Sequence, residues 1–241
     1  MSPQLRAALD DAYKAFADMP APTHLDASPL RDAKKILRTL TARPLRELTN
    51  EEIGPYSGWA MTTVGNEQDY RHFLPRILEL SVSDPAWIGS EPPVIASRIL
   101  RADWRHWPEN QQHAVTAVFY AAFDLAIRSN PELAAASASD WLCGIARLGF
   151  PITDLLAGWR QSTTLESTLQ LAWLVGFFDG LETIPPFWEE APPLIRHEIH
   201  AWVIHPHSYD QLAKSVTKAP EEDRWPIERA LRILSASTAR H

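Results

Sequence analysis

Apolar residues recur along this chain at spacings of three and four. Ala33, Ile36, Leu37 and Leu40 fall on one helical face, with Arg31, Lys34, Lys35 and Arg38 mostly opposite. Phe73, Ile77 and Leu80 repeat the pattern. The stretches Ala114–Ile127 and Leu169–Phe178 are apolar nearly all round, which marks helices buried on several sides. The periodicity predicts ten helices, near residues 3–18, 29–41, 50–62, 68–82, 92–105, 109–128, 139–148, 152–159, 164–181 and 193–204, then one or two more toward the C-terminus. No alternation of period two competes, so the expected class is all-α.

The breakers agree. Only 9 glycines leave few sites for the tight turns of β-hairpins, while 20 prolines are many. Several prolines follow a capping residue directly: Ser2-Pro3, Ser28-Pro29, Asp84-Pro85 and Asn130-Pro131. Proline at the first helical position loses nothing, because that N–H has no intrahelical acceptor. Thr49 with Glu52, and Thr163 with Glu166, have the spacing of a capping box. Prolines therefore read as punctuation between short helices.

A shift of 55 residues lays LRADWR (100–105) on LLAGWR (155–160) and Phe123-Asp124 on Phe178-Asp179, with seven identities between 100–124 and 155–179. Helix pairs that recur at a period of this order build α-solenoids, and the pattern resembles the HEAT and armadillo architecture, whose usual period is about 40–47 residues. The expected fold is an irregular HEAT/armadillo-like solenoid of ten to twelve short helices, with a compact helical bundle as the alternative. The amphipathic first helix, with Asp10, Asp11, Lys14 and Asp18, suits one polar end, and the charged Glu221-Glu222-Asp223-Arg224 suits the other. No Gly- or Ser-rich linker divides the chain, which reads as one domain over 1–241 with its weakest point near 85–93.

Composition narrows the function. A formal net charge of -7 argues against nucleic acid as the main partner, since phosphate binding needs a positive field. The longest apolar run, Leu171–Phe178, is far short of a membrane span, and the N-terminus has no signal-peptide apolar stretch. A single cysteine, Cys143, excludes an internal disulfide framework and fits a reducing cytoplasm.

Four of the 9 histidines fall close together, at His197, His200, His205 and His207. With Glu198 or Asp210 they are the raw material of a metal-dependent enzyme, the alternative reading. HExxH spacing is absent, and histidines near a helix C-terminus are favoured by the macrodipole without any metal. Cys143, beside Trp141, Leu142 and Ile145, reads as core packing rather than a nucleophile. No GxSxG, P-loop or GxGxxG occurs, and no catalytic residue, resident metal or cofactor is assigned.

Ten tryptophans are spread along the chain, as staples between helix pairs would be. Trp188 stands apart. It lies in 179–193, a connection with four prolines, two aromatics and four acids, where Phe187 and Trp188 are at risk of exposure unless both rings fold back on the neighbouring helices. Aromatics among fixed charges are what interface hot spots look like. Residues 130–200 hold nine acids against three bases, an acidic region able to steer a basic partner. The opposite bias at 31–46, and the row Arg98, Arg101 and Arg105, give a third reading, nucleic-acid binding through basic helices, against the simpler one of solvated faces. The leading expectation is a cytoplasmic, non-catalytic helical-repeat protein that binds another protein through Glu182, Phe187, Trp188, Glu189 and Glu190. An immunity-like factor that neutralises or scaffolds a basic partner is the special case.

Overall fold

The computed structural model describes residues 1–83, 89, 91–132, 137–178, 185 and 187–238. Among them are twelve α-helices, short 3-10 turns, two isolated bridges and no strand, so the all-α expectation holds. The helices are α1 (Pro3–Ala15), α2 (Ala33–Leu40), α3 (Asn50–Trp59), α4 (Glu67–Ser83), α5 (Pro92–Arg101), α6 (Glu109–Ile127), α7 (Ala138–Arg147), α8 (Thr153–Gln161), α9 (Leu165–Phe177), α10 (Pro193–Ile204), α11 (Pro206–Val216) and α12 (Glu221–Thr238). The chain divides into two compact units, Met1–Leu125 and Ala126–His241.

Capping explains most boundaries. Ser2 accepts from the Leu5 N–H with Pro3 at the first helical position. The Thr49–Glu52 capping box is present. Others moved. α2 starts at Ala33 because Asp32, not Ser28, accepts from Lys35 N, while Ser28 N donates to Thr63 O beside the Ala27–Val64 bridge. Thr164 rather than Thr163 caps α9, through the Ser167 N–H. After Asn130-Pro131 the next described helix is α7, whose capping box is Ser137 with Asp140. Asp84-Pro85 lies outside the described residues. Prolines are also not only punctuation: Pro55, Pro75 and Pro226 sit inside α3, α4 and α12, each at the cost of one intrahelical hydrogen bond.

In the first unit α4 packs on α1 and on α3, and Leu5, Leu9, Ile53, Phe73 and Ile77 of these helices are all buried. Tyr56 meets Phe73 edge-on at 4.9 Å, and Phe16 meets Trp107 at 5.7 Å. Buried Gln111 ties α6 to two neighbours: its amide donates to Ala15 O at 3.0 Å, and its carbonyl accepts from Arg71 at 2.7 Å. Arg71 and Arg76 also pair with Glu67 and Glu79, as their spacing suggests.

In the second unit α9 packs most extensively on α12 and also touches α7 and α11. Buried Gln170 donates to Ser129 O at 3.0 Å and accepts from Ala138 N at 2.9 Å, which fixes the start of α7. Trp159 and Trp202 lie 5.0 Å apart between α8 and α10. Their indoles donate to Ser167 O and Leu156 O, and Arg160 donates to Trp202 O.

The two sequence repeats differ where they are most alike. Asp103 adopts a left-handed backbone, φ 49°, so Trp104-Arg105 fall in a 3-10 turn after α5. Its counterpart Gly158 is helical, which leaves Trp159-Arg160 inside α8. Asp179, the last identity, is outside the described residues.

Two glycines give opposite predictions. A Cβ on Gly89, whose φ is +104°, would stand 2.5 Å from Gly58 Cα, backbone against backbone. A Cβ on Gly158 would meet nothing within 4 Å. In urea titrations, Gly158→Ala should raise stability by about 0.5–1 kcal/mol, the helix-propensity gain. Gly89→Ala should lower it by more than about 1 kcal/mol.

Candidate functional site

The connection before α10 left two readings of its aromatics, exposed at an interface or folded back on the neighbouring helices. Phe187 has a left-handed backbone, φ 70°, and is only partly exposed. The 3-10 turn Trp188–Glu190 follows, and Trp188 points inward: it is 1% exposed, with its indole N–H on Ser139 Oγ at 3.1 Å. Of the two readings, Trp188 takes the folded-back one. An indole so large gains more from burial than from solvent when an acceptor is within reach, and Ser139 in the first turn of α7 supplies one. Glu189 and Glu190 are exposed, and Glu190 pairs with Arg147 near the end of α7. Glu182 lies outside the described residues, as does Trp87.

Beneath this turn sits Cys143. Burial pushes its thiol well above the ordinary value, the carboxylates of Asp140 and Glu189 add to the rise, and Arg147 opposes it. Burial in turn lowers the Arg147 guanidinium. A thiol held protonated is no nucleophile, in line with the core reading.

The histidines do not assemble. His197, His205 and His207 are exposed, His200 lies 6.0 Å from the Phe178 ring, and His205 Nδ1 accepts from His207 N as the cap of α11. Glu198 accepts from Thr153 Oγ1 at 2.6 Å. Among the described residues no three His, Cys, Asp or Glu side chains come close enough to hold a metal ion, so the metal-dependent alternative has no ligand set in this cluster.

The basic segment 31–46 is partly spent within the first unit. Arg31 lies over the Trp59 ring at 3.8 Å, Arg43 pairs with Glu52 at 3.0 Å, and Arg46 covers the Tyr13 ring and pairs with Asp10. Lys34, Lys35 and Arg38 remain exposed. A groove of about 380 Å³ between α2 and α3 has Leu30, Ile36 and Trp59 in its lining, with bases and acids mixed on its rim. Arg98 is tied to Gly58 O at 2.8 Å, which takes it out of the row with Arg101 and Arg105.

A surface missed by the sequence reading lies on α9 and α12. Phe177 is 42% and Trp225 48% exposed. Between them is half-buried Trp173, 6.3 Å from Phe177 and 6.1 Å from Trp225, whose ring it meets at 77°. Arg229 beside the patch donates to Gly176 O. The signal for Trp225 was present: the buried stripe of α12 is Ile227, Ala230 and Leu234, and residue 225 lies about 200° from 227 around a helix. For Phe177 there was none, because α9 is apolar nearly all round from Leu169 onward. No family model, curated protein or solved structure matches the chain.

Two tests follow from this placement. Trp188→Ala should cost about 3–5 kcal/mol of unfolding free energy, against about 1 kcal/mol for Trp225→Ala; similar losses would contradict the assignment of one ring to the core and the other to the surface. Cys143 should resist iodoacetamide at pH 8 at least about 100-fold better in native than in urea-unfolded protein. Its proton also couples folding to pH. The unfolded thiol ionises near about pH 8.5 and the folded one does not, so this contribution is complete below that pH and is lost as pH rises beyond it. Cys143→Ala should flatten the fall in stability above about pH 8.5.

Proposed function

We propose that this protein is a cytoplasmic helical-repeat module that performs no chemistry of its own and binds another, basic protein. The observation that carries the reading is the exposed patch of Trp173, Phe177 and Trp225. Isolated exposed apolar residues are ordinary, but a ring that contacts two further aromatics, both more than 40% exposed, is not. Tryptophan is the residue most enriched among interface hot spots.

Charge selects the partner. Glu221 and Glu222, four and three residues before Trp225, and Glu228, three after it, share its side of α12 and are exposed. Arg224 and Arg229 are the bases within the same stretch, and each is tied to a backbone carbonyl. Exposed Glu189 and Glu190 belong to the same unit, and the whole chain carries -7. Such a field favours encounter with a cationic protein. Neutralisation of a basic toxin, as an immunity factor would do, fits that chemistry. Among the described residues no helix is long and apolar enough to cross a membrane.

The test is affinity capture by wild type beside Phe177→Ala/Trp225→Ala, each checked for a native melting curve, followed by kinetics on the purified partner. The expected result is a protein of high pI, weakened at least about 30-fold by the aromatic pair of substitutions. Glu221→Lys/Glu222→Lys should lower the on-rate, and added salt should erase the difference. A partner bound equally by wild type and the aromatic variant, or an acidic one, would overturn this reading.

A further inference from the structure

A second cavity, in the second unit, has no part in the binding reading above. It measures about 380 Å³ and lies where the connection between α8 and α9 meets α11. His207, Gln211 and Lys214 line it at spacings of four and three along one face of α11, and Lys218 continues that row just past the helix end. Thr163 and Leu165 form the facing wall, with Ser215 and Ala219 between. The walls are fixed to each other. Gln211 donates to Ser162 O at 3.1 Å, and Ser215 Oγ lies 3.4 Å from Thr168 Oγ1.

The lining has one sign. It holds two ammonium groups and an imidazole and no carboxylate, within a unit whose segment 130–200 has nine acids against three bases. Glu166, in the adjacent turn of α9, is not part of it. Neither Lys214 nor Lys218 makes an ion pair among the described residues, whereas Lys14, Arg43, Arg46, Arg71, Arg76 and Arg147 all do. Two unpaired ammonium groups beside hydroxyl and amide groups match a dianionic oxygen cluster. The volume falls in the range of small-molecule sites, about 300–1,000 Å³, which exceeds what a bare oxyanion fills. Thr163, Gln211 and Ser215 add polar groups for the remainder of the ligand, and Leu165 and Ala219 add a small apolar wall.

From this we infer that the cavity between the α8–α9 connection and α11 binds a phosphorylated small molecule of sugar-phosphate size, with Lys214 and Lys218 on the phosphate. The probes are ribose 5-phosphate, inorganic phosphate and ribose, each titrated calorimetrically into the full-length protein at fixed ionic strength. Ribose 5-phosphate should bind one to one, at least about tenfold tighter than inorganic phosphate, and ribose should not bind. Lys214→Gln/Lys218→Gln should weaken binding at least about tenfold, while Lys34→Gln/Lys35→Gln, equal in charge change but on the first unit, should leave it unaltered. Both pairs are exposed, so folding is not at stake. Equal weakening by both pairs would mean adventitious charge attraction and overturn the site. Equal affinity for ribose 5-phosphate and inorganic phosphate would overturn its assignment to an organic phosphate. No binding at millimolar probe would overturn it altogether and leave Lys214 and Lys218 as cations at the C-terminal end of α11.

Discussion

A buried indole is held best where its N–H finds an acceptor, and four tryptophans of this structure are placed by that demand. Trp107 donates to Glu67 and to Ala102 O, Trp159 to Ser167 O, Trp188 to Ser139 Oγ and Trp202 to Leu156 O. An N–H left unpaired in the interior costs about 1–3 kcal/mol, a large share of the margin by which a domain stays folded. These four rings dock where a carbonyl, carboxylate or hydroxyl waits, and in each case the acceptor lies on another element or beyond a helix end. Apolar stripes alone would let neighbouring helices slide and rotate. The indoles fix the register, and the buried amides of Gln111 and Gln170 do the same at helix ends.

That demand also marks what could be read from the sequence. Helix positions were legible because a 3.6-residue period and a capping residue are local, and ten segments placed by pattern have a helix where it was expected. The misplacements were equally local: Asp32 captured the start of α2 from Ser28, and Thr164 that of α9 from Thr163, since either member of each pair could accept the bond. Which tryptophan faces water was not local. Trp188 sat in a proline-rich connection that could expose it or fold it back, and the acceptor that decides, Ser139, is 49 residues away. Trp225 sat in a helix and looked like a staple, yet it lies opposite the buried stripe of its own helix. Burial of an aromatic ring depends on a partner that sequence spacing does not reveal.

The repeat teaches the same lesson at the scale of a motif. LRADWR and LLAGWR share their tryptophan and arginine, and both indoles are buried. The differing residue between Ala and Trp separates them. Asp103 takes the left-handed backbone that Asp tolerates better than most side chains, and the helix breaks. Gly158, which could take it at no steric cost, stays helical because the chain has no reason to turn there. Sequence identity at the packing residues left the local path to be decided by what surrounds them.

An acidic chain with a cationic cavity is no contradiction, because the two act over different distances. At physiological ionic strength the Debye length is about 8 Å. Exposed acids such as Glu221, Glu222 and Glu228 set the field that a large partner would meet on approach. Inside a cavity lined by Leu165, Ala219 and residues of α11, the side chains within reach of a ligand would decide what stays, and Lys214 and Lys218 line it. A macromolecule reads the summed charge of a surface, whereas a small anion reads the few groups it touches. The net charge of -7 thus bears on which proteins approach this molecule and leaves open what its cavity can hold.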